Sequence, residues 1–308
     1  MIQRLAVFGL AACIGIFGLS MDAARADDAS PWSLGLKAGV TYDDNVVLQQ
    51  TDVKTGIGDS SADLELNAGY KLIDTRTSSL SIGYDFAQNL HAKLKNFNIQ
   101  NHNISIIGST QLDGATLGAS YTFYHLFLAG ANFLDMHALN PSVLVSITPQ
   151  IFVRGAYLYM GTSFLTAATR NRSASHHQPE AQFFYFFDNT RAYVLVGANY
   201  QIEDANGAEF SYKGYALTTS LQVPVDMPVE GTKLTASYTY LSRNYDNITA
   251  SIGARRYERR STLKAGVTIP LIDKLSATVD YKFMDRSSNL PTANYSENVI
   301  SAALHYDF

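Results

Sequence analysis

Cysteine is almost absent from this chain, which has one such residue, Cys13, among 308. Cys13 lies in an amino-terminal segment that we expect to be removed, so the mature chain has no thiol. A disulfide-stabilised fold and a thiolate metal centre are therefore excluded for the mature chain. A chain without thiols also fits an oxidising compartment, where free thiols are reactive.

Charged residues and long apolar runs are also scarce. Charged residues make up 16% of the chain, whereas soluble domains contain about 25%, and the mean hydropathy is -0.04. Beyond residue 26 the most apolar run is Phe183–Phe187, which is far shorter than the roughly 18 residues of a membrane-spanning helix. If the mature chain lies in a membrane, it must therefore cross as β-strands.

The charge balance gives no support for a nucleic-acid partner. The formal net charge is -4. Loss of a leader that contains Arg4, Arg25 and Asp22 makes the mature chain one unit more negative. Because surfaces that bind nucleic acid are basic, we expect no nucleic acid among the partners.

The amino terminus has the three parts of a secretory signal peptide. Arg4 supplies the positive charge, the apolar run spans residues 5–19, and Ala24 and Ala26 form an A-x-A cleavage site. We therefore predict a signal peptide over residues 1–26 and a folded domain over residues 27–308.

A lipoprotein leader is the alternative interpretation of the same segment. Residues 10–13, which end at Cys13, resemble a lipidation box. The apolar run continues beyond Cys13 through Ile16 and Leu19, which favours the ordinary signal peptide.

The carboxyl-terminal segment, residues 296–308, alternates strictly between apolar and polar or small side chains. This period of two is typical of an extended strand with one apolar and one polar face. The apolar set is Ile300, Ala302, Leu304, Tyr306 and Phe308. The final aromatic residue resembles the end of bacterial outer-membrane β-barrels, whose last residue is recognised by the barrel insertion machinery. The resemblance implies that Phe308, Tyr306 and Leu304 form such an insertion signal in this chain.

The same alternation recurs along the mature chain and predicts about 14 strands, an even number, as in single-chain bacterial barrels. The predicted fold is an all-β, transmembrane, antiparallel up-and-down β-barrel in the outer membrane of a Gram-negative cell. Long polar connections are predicted after the odd strands, at residues 43–60, 91–98, 129–136, 166–178, 204–210, 244–253 and 286–295, and mostly short turns follow the even strands. Outer-membrane barrels place long loops outside the cell and short turns in the periplasm.

A soluble β-sandwich is the alternative fold, because its strands also alternate. It would have to bury the charged side chains of the second face in a dry core, where they could not all be paired. Those side chains are Asp63, Glu65, Lys71, Arg154, Arg191, Glu203, Lys264, Asp280 and Lys282. A water-filled lumen tolerates them, so the sequence favours the membrane barrel.

Charges on the inward face suggest a biased lumen. The predicted basic ladder is Arg154, Lys233, Arg256, Arg260, Lys264 and Lys282. The predicted acidic positions are Asp63, Glu65, Glu258 and Asp280. A basic lumen would favour small anionic solutes in a porin-like channel. The alternative is that the dense segment 255–260 lies at an extracellular strand end, solvated or bound to lipopolysaccharide phosphates.

Histidines offer no convincing metal or catalytic motif. His176 and His177 have no carboxylate or further histidine at ligand spacing, so we expect no metal and no cofactor. His125 is the one histidine that the alternation places on the lipid face, and no serine follows at a spacing that would pair with it. We therefore expect no enzymatic activity.

Bulky inward side chains raise a third functional possibility. Tyr124, Leu126, Leu158 and Met160 fall on the face that is predicted to point inward. A structural or adhesive barrel with a plugged lumen is the corresponding hypothesis.

Three stretches carry a resemblance to a known family. They are residues 41–46, residues 253–260, and residues 281–289 with the following Tyr295. Together they resemble the barrel domain of surface lipoprotein assembly modifiers and related outer-membrane barrels of exopolysaccharide clusters.

The resemblance implies an accessory role in export or assembly of a polysaccharide or surface lipoprotein, with export components as partners. Those assembly modifiers also carry an amino-terminal periplasmic helical-repeat domain. Here only residues 27–31 separate the predicted cleavage site from the first strand, which favours a porin-like channel.

Overall fold

The computed structural model describes residues 30–225 and 229–308. The predicted signal peptide and Cys13 lie outside the described residues. The described residues form sixteen strands: β1 (Trp32–Asp43), β2 (Val47–Leu48), β3 (Val53–Lys54), β4 (Asp59–Asp74), β5 (Ser78–His91), β6 (Ile99–Leu112), β7 (Ala115–Leu128), β8 (Ala131–Thr148), β9 (Ile151–Phe164), β10 (Ala174–Phe187), β11 (Ala192–Ala205), β12 (Tyr212–Val225), β13 (Thr232–Thr249), β14 (Ala254–Ile272), β15 (Leu275–Ser288) and β16 (Tyr295–Asp307).

Short 3₁₀ turns interrupt several connections. They are Gln49–Thr51, Lys95–Phe97, Arg170–Arg172, Ala208–Phe210 and Pro291–Ala293. Among the described residues, no helix has the length and apolar character needed to span a membrane.

Fourteen of the sixteen described strands close into one barrel, which confirms the predicted fold class and strand number. Each strand pairs antiparallel with its neighbours, and β1 closes the ring by pairing with both β4 and β16. Leu36, for example, lies opposite Leu66 on one side and Tyr306 on the other. The remaining strands, β2 and β3, form a small hairpin inside the connection between β1 and β4.

The side chains point as the membrane interpretation requires. Large apolar residues on the outward face are exposed, for example Ile104 at 56% and Leu217 at 52%. Many charged residues lie on the inward face, where Glu258 is fully buried. A soluble sandwich would show the reverse arrangement, with apolar ranks packed in the centre and charges outside.

The structure corrects the prediction of a long connection at residues 129–136. It is a tight turn at Ala129 and Gly130, both with positive φ, and β8 begins at Ala131. The sequence alternation failed here because Leu134 and Met136 point inward and are buried.

The connection predicted at residues 166–178 is also shorter than expected, because β10 begins at Ala174. The first inward residues of β10 are polar, so the segment resembled a loop. His176 contacts Glu203 on β11 at 2.7 Å, and Gln178 accepts a hydrogen bond from Gln201 at 3.3 Å. These inward partners satisfy the polar groups inside the barrel wall.

Orientation of the wall can be tested with a matched pair of substitutions near the middle of β12. L217R places a guanidinium on the outward face and should lower the free energy of unfolding by about 2–4 kcal/mol, as charges do at the bilayer midplane. T218R, one residue later, places the same group inward and should cost much less. Urea unfolding in lipid vesicles measures both values, and equal losses would contradict the orientation.

Candidate lumenal site

The connection between β1 and β4, residues 44–58, folds back on itself and is called here the inner loop. Its hairpin is held by backbone hydrogen bonds from Val46 to Ile57 and from Thr55 to Val46, both at 3.1 Å. The Asn45 side-chain oxygen accepts a further bond from Gly56 at 2.9 Å. These bonds give the loop a defined shape that can present its tip to the barrel interior.

One side of the inner loop is anchored by apolar packing. Leu48 is buried in a cluster contributed by neighbouring strands of the wall. The other buried members of this cluster are Leu126 on β7, Phe133, Leu134 and Met136 on β8, and Phe164 on β9. Burial of a leucine side chain contributes about 1.5–3 kcal/mol, so this contact holds the loop against the β7–β9 wall.

The tip of the inner loop carries Asp52, whose carboxylate accepts hydrogen bonds from three guanidinium groups. Arg256 on β14 donates to both carboxylate oxygens, at 2.8 Å and 2.9 Å. Arg286 on β15 donates to Oδ1 at 2.7 Å. Arg172, in the connection between β9 and β10, donates to Oδ2 at 2.9 Å.

These contacts join opposite sides of the barrel. In the ring of strands, β10 lies across from β1, the strand from which the inner loop departs. The loop therefore crosses the lumen at the loop end of the barrel, meaning the end that carries this connection. Because outer-membrane barrels place their long connections outside the cell, the inner loop narrows the outer mouth.

A second carboxylate, Glu258 on β14, completes the cluster. It is fully buried and accepts hydrogen bonds from Arg286 at 2.8 Å, Arg260 at 2.9 Å and Arg256 at 3.0 Å. Arg260 also donates to Oε1 of Gln49 on the inner loop at 3.1 Å. Arg172, Arg256, Arg260, Arg286, Asp52 and Glu258 are called here the arginine cluster.

The electrostatics of the arginine cluster keep Asp52 ionised. Burial opposes its ionisation, but hydrogen bonds from Arg256 and the charges of Arg256, Arg286 and Arg172 outweigh burial and hold the pKa of Asp52 well below its ordinary value. A lowered pKa means that the ion pairs are fully present above the ordinary carboxyl pKa and are lost only as the pH falls through the lowered value. The contact between loop and wall therefore persists at neutral and mildly acidic pH.

The structure distributes the predicted basic ladder over separate places. Arg256 and Arg260 lie in the arginine cluster, where they form ion pairs with Asp52 and Glu258 rather than a ring of unpaired cations. Arg154 is buried on β9 and pairs with Glu180 at 2.5 Å. Lys264 and Lys282 lie opposite each other on β14 and β15, and Lys282 pairs with Glu297 at 3.1 Å.

The other charged positions of the prediction also occupy the inward face. Lys233 lies near the start of β13 and Asp280 on β15. Asp63 on β4 accepts a hydrogen bond from Thr41 at 2.6 Å, and Glu65 pairs with Lys37 at 3.2 Å. Arg255 and Arg259, the sequence neighbours of the cluster on β14, point outward and are exposed; their extracellular position stays a prediction.

The β7–β9 side of the lumen carries an apolar cluster next to the inner loop. Leu126 and Leu158 are buried, as the plugged-lumen hypothesis requires, and Tyr124 and Met160 pack against the cluster around Leu48. Nearer the short turns, a second buried cluster comprises Phe152, Phe184 and Leu195. The interior therefore combines charged and polar groups with two apolar clusters.

The lipid face carries more histidines than the sequence predicted. His125 points outward, where it contacts Asp135 at 2.5 Å, but the prediction that it alone does so is wrong. Outward tyrosines hold His102, His137 and His177 through hydroxyl contacts of 2.6–2.8 Å. In residues 30–225 and 229–308, no group of three or more His, Cys, Asp or Glu residues is arranged to hold a metal ion.

The carboxyl-terminal residues of the predicted insertion signal lie on the outer surface. Leu304, Tyr306 and Phe308 are 52%, 38% and 61% exposed. Their recognition by the insertion machinery stays a prediction.

Comparison with solved structures identifies barrels of the same kind. The in-vitro folded OmpT, an outer-membrane protein of Vibrio cholerae, aligns over 91% of this chain and 99% of its own, with 11% identity and a TM-score of 0.52. A structure described as a bacterial polysaccharide outer membrane secretin aligns over 91% of this chain and 100% of its own, with 9% identity and a TM-score of 0.51.

The chain has the fold of outer-membrane β-barrels. No family model matches the sequence of this outer-membrane barrel, and no curated protein matches it. At these identities the likeness to solved structures shows the fold alone. The evidence for the function of the barrel therefore lies in the side chains that line its lumen.

Proposed function

We propose that this barrel is a porin-like channel for passive passage of small polar solutes, with an outer mouth narrowed by the inner loop. The observation that carries the proposal is the set of ion pairs between Asp52 and Arg172, Arg256 and Arg286. They hold a defined loop across a lumen whose other inward positions include many charged and polar groups.

A hydrated path is supported by the inward groups of β1, β4, β15 and β16. The ammonium groups of Lys37 and Lys282 keep 25% and 20% side-chain exposure there, although their carboxylate partners Glu65 and Glu297 are buried. Charges are costly in a dry interior but are tolerated beside water. Passage through such a path is physical sorting by size and charge, so the proposal includes no catalytic step.

The proposal is tested by reconstitution of the purified mature barrel. In planar bilayers the wild-type protein should give a small ohmic conductance, because the inner loop narrows but does not seal the mouth. In liposome swelling assays a monosaccharide should enter faster than a trisaccharide. A wild-type protein and a D52N variant that both fail to conduct would instead support a structural barrel with a plugged lumen, which the apolar packing around Leu48 favours.

A second candidate is an accessory barrel for export or assembly of a polysaccharide or surface lipoprotein. Its support is the resemblance of residues 41–46, 253–260 and 281–289 to barrels of exopolysaccharide clusters, together with the likeness to the polysaccharide secretin. Deletion of the gene should then reduce polysaccharide or lipoprotein at the cell surface. Normal surface material together with reduced uptake of small solutes would favour the channel.

A further inference from the structure

The arginine cluster contains more positive than negative charge. Four guanidinium groups, those of Arg172, Arg256, Arg260 and Arg286, share the carboxylates of Asp52 and Glu258 through ion pairs of 2.7–3.0 Å among the described residues. Buried charge without compensation is strongly unfavourable. The cluster can therefore accommodate a further anion.

The buried arginines also have N–H donors that form no hydrogen bond among the described residues. Arg256, Arg260 and Arg286 are 3%, 6% and 2% exposed. Their Nε atoms are buried and have no hydrogen-bond partner in the described part of the chain. Buried donors are usually satisfied, so these atoms point to a site with capacity for another acceptor group.

Asp52 differs from Glu258 in how it reaches the arginines. Glu258 belongs to β14, whose backbone is fixed by pairing with β13 and β15. Asp52 is brought by the inner loop, which belongs to no strand of the barrel wall. Its carboxylate is thus a ligand on a tether, held by a fork of two bonds from Arg256 that matches the plane of a carboxylate.

We propose that the arginine cluster is a binding site for the carboxylate group of small anionic solutes, and that Asp52 occupies it as an internal mimic until a solute displaces it. Displacement releases the tip of the inner loop and widens the mouth. This inference rests on the proposed channel function and names its solute class. The Arg256 fork and the Arg172 side chain, which is 20% exposed, receive the solute.

Competition with the tethered carboxylate of Asp52 sets the affinity that is expected for a solute. A group on a short tether acts at an effective concentration in the millimolar range, so a solute must compete with Asp52 and binds the wild-type protein weakly. Removal of the Asp52 charge should tighten carboxylate binding by about tenfold or more, because the competitor is lost while the arginines remain.

Equilibrium dialysis of the purified mature barrel with radiolabelled D-glucuronate and D-glucose tests the proposal, because the two sugars differ by one carboxylate. Asp52 has a left-handed φ of 58°, which asparagine tolerates, so D52N introduces no local backbone strain at this position. D113N, in the exposed turn after β6, is the matched control for a lost carboxylate. Glucuronate should bind D52N about tenfold more tightly than wild type or D113N, and glucose should bind none of them measurably.

Two further measurements make the outcome decisive. The double variant D52N/R172Q should lose most of the gained affinity, whereas unchanged affinity would place the site elsewhere. Inorganic phosphate that binds D52N as tightly as glucuronate would overturn the assignment to carboxylates. If D52N conducts ions but does not prefer glucuronate, the inference fails and the channel stands; if it binds glucuronate but no variant conducts, the channel function fails instead.

Discussion

The D52N variant is expected to show a several-fold higher single-channel conductance than the wild-type barrel in planar bilayers. The substitution removes a charge that receives hydrogen bonds from Arg172, Arg256 and Arg286. Hydrogen bonds to charged groups contribute about 1.5–3 kcal/mol each. Their loss should exceed what the packing of Leu48 alone can offset, so the inner loop spends more time away from the wall.

The comparison for this result is D113N, which removes one carboxylate from a turn far from the inner loop. Its conductance should equal that of the wild type. Equal conductance for D52N and D113N would mean that the ion pairs do not close the mouth. A several-fold rise for both would point to a general effect of net charge on ion permeation.

The strand number and the outward faces could be predicted from sequence because the determining signal is local. An apolar residue at every second position is visible within one strand, as in residues 296–308. The lipid bilayer imposes this period on each strand separately. The prediction therefore needed no knowledge of which strands are neighbours.

Strand ends were harder to predict where the inward residues broke the pattern. The start of β10 has polar residues such as His176 and Gln178 on its inward face, and their partners lie on β11. The sequence pattern predicts a loop from Arg286 onward, although β15 continues to Ser288. In both cases, side chains that are satisfied inside the barrel resemble those of a solvated loop.

The candidate site could be predicted only in part. Alternation placed Arg256, Glu258 and Arg260 on the inward face, because they lie on one strand. It could not identify Asp52, Arg172 or Arg286 as their partners, since Asp52 and Arg256 are 204 residues apart. A polar loop of this composition has the same sequence whether it projects into water or folds into a lumen, so the ion pairs depend on tertiary structure.

Glu258 is expected to be the most sensitive residue of the barrel interior. E258Q keeps the size of the side chain but removes its charge. It leaves Arg256 and Arg286 with Asp52 as their remaining carboxylate, and Arg260 with no carboxylate in the cluster. Removal of one partner from a buried ionic network costs about 3–5 kcal/mol. We therefore expect a loss of this size in the free energy of unfolding. It can be measured by urea titration with the fluorescence of Trp32, which is the single tryptophan of the chain.

The control for this prediction is E65Q, in which the altered carboxylate is also buried but forms an ion pair with Lys37 at 3.2 Å. It should lose much less stability, because fewer guanidinium or ammonium charges depend on it. The double variant E258Q/R260Q should recover part of the loss, since it removes an arginine that E258Q leaves without its carboxylate partner. Losses that simply add in the double variant, or an E258Q barrel as stable as the wild type, would show that the arginines are compensated by solvent rather than by Glu258.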